Sequence, residues 1–181
     1  MPDPLDLSMV VSSALPATFT FLYERLNVAL QRRRSDREAG PDAAPDIPDV
    51  LVGDLALPLR IDSDRLTSHA PVLEALALAM APYERDRTMI VADEVAVRQI
   101  LGRVRDVLED IYGQRFTFQG ETRARSGPFS EQHYDVVAGE VTGMEAQQAI
   151  RGSATSTIRA KSVEPGGRVV GMKAPVIEDR D

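Results

Sequence analysis

The sequence predicts an α+β chain: an apolar N-terminal helix, a helical hairpin in the middle, and a short C-terminal β-repeat of solenoid-like or meander form. Three observations predict it. Apolar residues recur at helical spacing over residues 7–30, 66–80 and 97–111. A Pro/Asp/Ala tract separates the first of these segments from the others. An eight-residue Gly/Val motif then recurs 28 residues on, close to the C-terminus. The expected division is 1–34 helix, 35–49 flexible linker, 50–130 helical domain with short strands, and 131–181 β-repeat.

The first helix rests on Leu7, Val10, Val11, Ala14, Leu15, Thr18, Leu22, Leu26 and Ala29, which share one face at a period of 3.6. Met9, Ala17, Phe19 and Phe21 widen that face, and residues 7–23 carry no charge. Pro16 lacks an N–H, so the helix is expected to kink or restart there. The run ends in Arg32, Arg33 and Arg34, which complement the negative end of a helix dipole or meet an anionic lipid surface. A spanning helix needs about 20 apolar residues, and the uncharged stretch is 17 long. Three settings stay open for residues 7–30: spanning a membrane, packing against the body, or lying flat at an interface.

Residues 35–49 hold Gly40, Pro41, Pro45 and Pro48 among Asp and Ala, too little apolar surface to bury. Residues 50–61 read as a short extended piece. Asp62 or Ser63 caps a helix carrying Leu66, His69, Ala70, Leu73, Leu76, Ala77 and Met80. Pro71 is awkward inside that span, so the regular helix is expected to begin near Ser68, and Pro82 to end it. The third helix is capped by Asp93, striped by Val97, Ile100, Leu101, Val104, Val107, Leu108 and Ile111, and closed by Gly113. The second and third helices suit an αα-hairpin. Arg115-Phe116-Thr117-Phe118-Gln119 alternates as a strand, and residues 121–130 read as a polar loop.

The C-terminal motif is Gly139-Glu140-Val141-Thr142-Gly143-Met144-Glu145-Ala146, and it returns as Gly167-Arg168-Val169-Val170-Gly171-Met172-Lys173-Ala174. A degenerate copy lies between them at Ile150, Gly152, Ala154, Ser156, Ile158 and Ala160. The period of two predicts three stacked short rungs with a buried Val/Ile/Ala face, and with Gly where backbones approach closely. The last rung would leave an open edge that only Pro175 and the acidic tail could blunt.

Composition narrows the function. The net charge of −7 opposes nucleic-acid binding, whose phosphates would repel the chain. The absence of Cys removes disulfides, thiolate metal sites and thiol nucleophiles, and fits a reducing, cytoplasmic setting. Basic charge is almost all Arg, with Lys only at 161 and 173, as in high-GC bacterial genomes. Histidine occurs only at 69 and 133, without metal-ligand spacing. His69 reads as a partly buried, hydrogen-bonded residue and His133 as an exposed loop residue. The acids Glu84, Asp86, Asp93, Glu94, Asp106, Glu109 and Asp110 read as solvated helix faces rather than a carboxylate pair. Neither phosphate-loop nor dinucleotide glycine motifs occur, and Gly-x-Ser-x-Gly is absent. The expectation is a protein without catalytic residues, cofactor or metal.

The stretch Gly139-x-Val141-x-Gly143-x-x-Ala146-Gln147 resembles the Gly/Val/Gln motifs of bacterial amyloid-signalling proteins. That resemblance implies a helical targeting region followed by an assembly motif, in bacterial conflict or stress signalling. The Gly-x-Val-x-Gly rungs are also similar to bactofilins, β-solenoid polymers with many more rungs. Tyr112 to Glu121 looks like a segment of uncharacterised high-GC bacterial proteins with the same three-part layout. Taken with these resemblances, the sequence predicts an association protein that joins itself or a protein partner through Gly139, Val141, Gly143, Gln147, Gly167, Val169 and Gly171. Its N-terminal helix, with Arg32–Arg34, would reach a membrane or partner. A structural polymer subunit and an enzyme using Asp, Glu and Arg are the alternatives.

Overall fold

The computed structural model describes residue 7 and residues 10–35, 45–91, 95–147, 149–151 and 154–178. The chain is α+β, and these residues fall into two units. The first takes those up to Val52 together with Leu57–Tyr112 and Phe116–Ala124. The second takes Gly53–Ala56, Gly113–Arg115 and those from Arg125 onward.

Three helices build the first unit: α1 (Leu15–Arg34), α2 (Ser63–Arg85) and α3 (Val95–Tyr112). Pro16 stands in the first turn of α1, behind a 3-10 turn at Ser12–Ala14, so its missing N–H costs nothing there. This corrects the helix expected from residue 7: the α-helix begins only at Leu15, ahead of Pro16, and Leu7, Val10 and Val11 are not helical, with Val11 exposed. Asp62 caps α2, its side chain accepting from the N–H groups of Asp64 and Arg65 at 3.0 Å each. The Asp93 cap expected for α3, and residues 36–44 of the expected linker, lie outside the described residues. Gly113, at φ 60°, turns the chain after α3.

α2 departs from expectation: it starts at Ser63 and runs through both prolines to Arg85. Pro71 and Pro82 both lie on its exposed face. The carbonyls they fail to pair, on Thr67 and Leu78, belong to exposed residues, where water satisfies what an interior would not.

The core of this unit is aliphatic and aromatic. Leu15, Leu22, Leu26, Leu73, Met80, Val104, Leu108 and Ile111 are fully enclosed. Ile100, on the edge of the α3 stripe, is half-buried. The Phe21 ring meets Phe116 and Phe118 edge-on, at 5.4 and 6.2 Å between centroids. The alternating segment at Arg115–Gln119 is only partly strand. Phe118 bridges Leu51 in antiparallel fashion, and the N–H groups of Val52 and Gln119 donate to Thr117 and Val50 at 2.8 Å.

The second unit is β. Its strands are β1 (Gln114–Arg115), β2 (Gly127–Val137), β3 (Glu140–Glu145), β4 (Ala149–Arg151), β5 (Thr155–Val163), β6 (Arg168–Lys173) and β7 (Val176–Glu178). β1 pairs antiparallel with the first two residues of β2. Every other pairing is parallel: β2 with β5, β3 with β6, and β4 with β7, at offsets of 26, 28 and 27 residues. Two runs of three strands therefore pair strand for strand. This corrects the expected stack of three rungs. The degenerate copy does not lie between the two good ones; Glu140 stands directly opposite Arg168, and Val141 opposite Val169. The 28-residue spacing of the sequence repeat is the β3–β6 register itself. β2 was also expected to be partly loop, yet its whole length is strand.

Candidate interaction surface

The residues singled out in the repeat lie along one parallel ladder and its flanks. Gly139 precedes β3, and its carbonyl accepts from the Arg168 N–H at 3.0 Å. Val141 and Gly143 belong to β3, and Val169 and Gly171 to β6. Gln147 is exposed and follows β3.

Two of the glycines are there because nothing larger fits. A Cβ on Gly143 would stand 2.7 Å from the Gly171 carbonyl oxygen and collide with the Ser156 side chain. One on Gly167 would stand 2.5 Å from the Val137 carbonyl oxygen and 2.8 Å from a Val163 methyl. Gly139 and Gly171 instead look onto open space, so no crowding requires glycine at those two positions.

Three matched apolar positions in the two runs differ in exposure. Val137 is 1% exposed and its partner Val163 49%. Ile150 is 7% exposed and its partner Ile177 55%. Val141 is half-buried, while Val169 is 42% exposed. Val169 was expected on a buried face. Among the described residues no third rung lies on the second run, and Val169 is open there.

Charge is divided between the runs as well. Glu131, Asp135, Glu140 and Glu145 are the charged acids of β2 and β3, which hold no Lys or Arg. Arg159, Lys161, Arg168 and Lys173 are the bases of β5 and β6, which hold no Asp or Glu. They pair as Glu131–Arg159 at 3.7 Å, Asp135–Lys161 at 2.6 Å, Glu140–Arg168 at 3.9 Å and Glu145–Lys173 at 3.2 Å. All four pairs are solvent-exposed, so each adds little to stability. The shortest pair of strands reverses the sense, with Arg151 in register with Glu178.

Hydrogen-bond direction marks an open edge. The Arg168 N–H points back to Gly139. Successive N–H groups of a strand alternate in direction, so the Val169 N–H points away from β3. Among the described residues no strand pairs with that side of β6.

The basic cluster belongs to the first unit. Arg32, Arg33 and Arg34 form the last turn of α1, facing the carbonyl end of the helix dipole. Arg33 also pairs with Glu74 of α2 at 2.5 Å. The apolar face of α1 packs on α2 and α3. No helix among the described residues is long and apolar enough to cross a membrane. Of the three settings open to residues 7–30, packing against the body is the one adopted, and the spanning helix is corrected. Too few of its residues are apolar once Ser, Thr and the charges from Glu24 onward are counted.

Sequence reasoning missed a buried ionic cluster in this unit. Glu109 was expected on a solvated face, yet Glu109, Arg105 and Glu121 are all nearly sealed from water. Glu121 pairs with Arg105 and accepts the Phe118 N–H at 2.8 Å. Glu109 accepts the Phe116 N–H at 2.7 Å and pairs with Arg123 at 2.7 Å. Burial first, and the Arg123 charge second, push the Arg105 guanidinium below its ordinary pKa, while Glu121 and Glu109 oppose that shift. The one available signal was spacing: Arg105 and Glu109 stand four apart, beside the apolar stripe of α3.

The histidines are also engaged. His69 Nε2 lies 2.8 Å from Asp110 Oδ2, whose other oxygen receives Arg65 at 2.7 Å. His133 sits on β2 rather than in a loop, 3.1 Å from Glu131. No family model, no curated protein and no solved structure matches this chain.

Proposed function

We propose that this is a non-enzymatic association protein whose second unit is a two-coil β-solenoid, docking β-structure on the open edge of its second coil. The observation that carries the reading is the contrast between matched positions. Val163, Val169 and Ile177 present apolar side chains where Val137 and Ile150 are buried and Val141 is half-buried. An unpaired strand edge beside exposed valine and isoleucine is a template for another strand, and main-chain hydrogen bonds supply the affinity. Only Pro175 interrupts the donors that follow β6.

The polar groups of the first unit support the same reading. Arg105, Glu109, Glu121 and Arg123 are occupied in tying α3 to the 116–123 segment, and His69 and Asp110 in tying α2 to α3. Such groups serve the fold. In this reading the first unit is the folded body that carries the docking module, and the partner is a protein.

The test removes one donor from the edge. Val169→Pro deletes an N–H that points away from β3, so the internal ladder keeps its bonds. The full chain and this variant are used as baits in extracts of the cells that make the protein, with cross-links mapped by mass spectrometry. Expected are binders cross-linked to residues 155–178 of the wild type and lost from the variant. An identical set of binders and cross-links for both proteins overturns the reading.

A further inference from the structure

We infer that the occupant of the open edge is a second copy of this chain, stacked head to tail, with its first strand run on the second run of the copy before it. The inference rests on the docking reading above and names its partner.

Charge selects the orientation. The outward charges of β2 and β3 are acidic at Glu131, Asp135, Glu140 and Glu145; those of β5 and β6 are basic at Arg159, Lys161, Arg168 and Lys173. Within one chain these eight groups already meet as four opposite-charge pairs. A first run laid on another copy's second run repeats those four contacts. Two second runs laid face to face would instead bring four bases against four bases, which is repulsive.

Shape agrees with charge. The surface left open by Val163, Val169 and Ile177 is the surface that, one run earlier, accepts the strands of this same chain. Among the described residues the first run offers a largely open edge in turn: β1 pairs with Gly127 and Pro128, the Phe129 N–H donates to Gly113, and no strand but β6 pairs with β3. A head-to-tail contact is heterologous, so one copy uses two different surfaces and the assembly continues beyond a dimer.

The experiment uses the full chain and swaps charge on one surface at a time. Glu140→Lys with Glu145→Lys makes the first run basic; Arg168→Glu with Lys173→Glu makes the second run acidic. Each variant is checked for folding by circular dichroism, then examined by sedimentation velocity and light scattering over a concentration series. Should a double variant fail to fold, the single changes Glu145→Lys and Lys173→Glu carry the same comparison. Expected are open-ended oligomers for the wild type, at least a tenfold weaker association for each variant alone, and oligomers beyond a dimer when the two variants are mixed. A monomeric wild type overturns the inference, as do variants that associate like the wild type, or a mixture that stops at one-to-one dimers. A monomeric wild type whose cross-linked binders are still lost in Val169→Pro would overturn self-stacking while leaving the docking reading in place.

Discussion

Glu121 shows how much one side chain holds in this protein. Its carboxylate neutralises Arg105, among the most enclosed side chains in the chain, and accepts the Phe118 N–H. Removing it leaves a buried guanidinium without its carboxylate and an amide without its acceptor, and breaking a buried pair costs about 3–5 kcal/mol. Glu121→Ala should therefore lower the unfolding free energy by about that amount in urea titrations. A change under about 0.5 kcal/mol, the range of ordinary surface positions, would mean that the pair is solvated. Residues of this kind are hard to read from sequence. Glu109 and Glu121 look like any surface acids, and their burial follows from where α3 meets a segment that returns several residues later. Gly143 and Gly167 were easier, because a glycine inside a strand pattern already signals close approach. Gly139 and Gly171 carry the same signal and meet nothing.

Elements divide by how their burial is achieved. The α3 stripe was readable because one face is apolar and the other charged, and its members are enclosed. Leu108→Ala should cost about 2–5 kcal/mol, whereas Leu78→Ala, at an exposed position of α2, should stay within about 0.5 kcal/mol. Equal effects from the two in denaturant unfolding would contradict this packing. The extent of α2 was misjudged because proline's cost inside a helix, real even on an exposed face, is outweighed here by the burial of Leu66, Ala70, Leu73, Leu76 and Met80. Pro71→Ala should then restore the bond to the Thr67 carbonyl and stabilise the protein by about 1–3 kcal/mol. A lower melting temperature for that variant would show that the proline holds something the helix needs. β2 escaped notice for a different reason. Its outward residues are charged, and its pairing partner, β5, lies 26 residues on, beyond any local pattern. The repeat did expose the β3–β6 register, because those two strands kept nearly the same residues. The intervening copy misled because Ile150 belongs to β4 while Ser156 and Ile158 belong to β5, two strands that pair with different partners.

At the scale of the molecule, the two units bury very different cores. The first encloses most of the Leu, Phe and Met residues that reach near-zero exposure. In the second, Val137 and Ile150 are the buried apolar residues among those described, while Val136, Val163, Val169, Val176 and Ile177 are exposed. A small β-unit with so little enclosed apolar area gains stability by associating. Anything that binds the folded form alone raises its stability with concentration, by about 1.4 kcal/mol per tenfold once the site is well occupied. For a unit of this size that corresponds to about 5–10 °C in transition temperature. Loss of the β-sheet signal on heating the full chain should therefore move upward across a dilution series, while loss of the helical signal stays fixed. Arg168→Glu with Lys173→Glu should remove the dependence, since it places acids where the next copy also brings acids. A β transition that is independent of concentration in the wild type would show that the second unit holds itself together, and that the exposure of Val163, Val169 and Ile177 is a cost the fold bears alone.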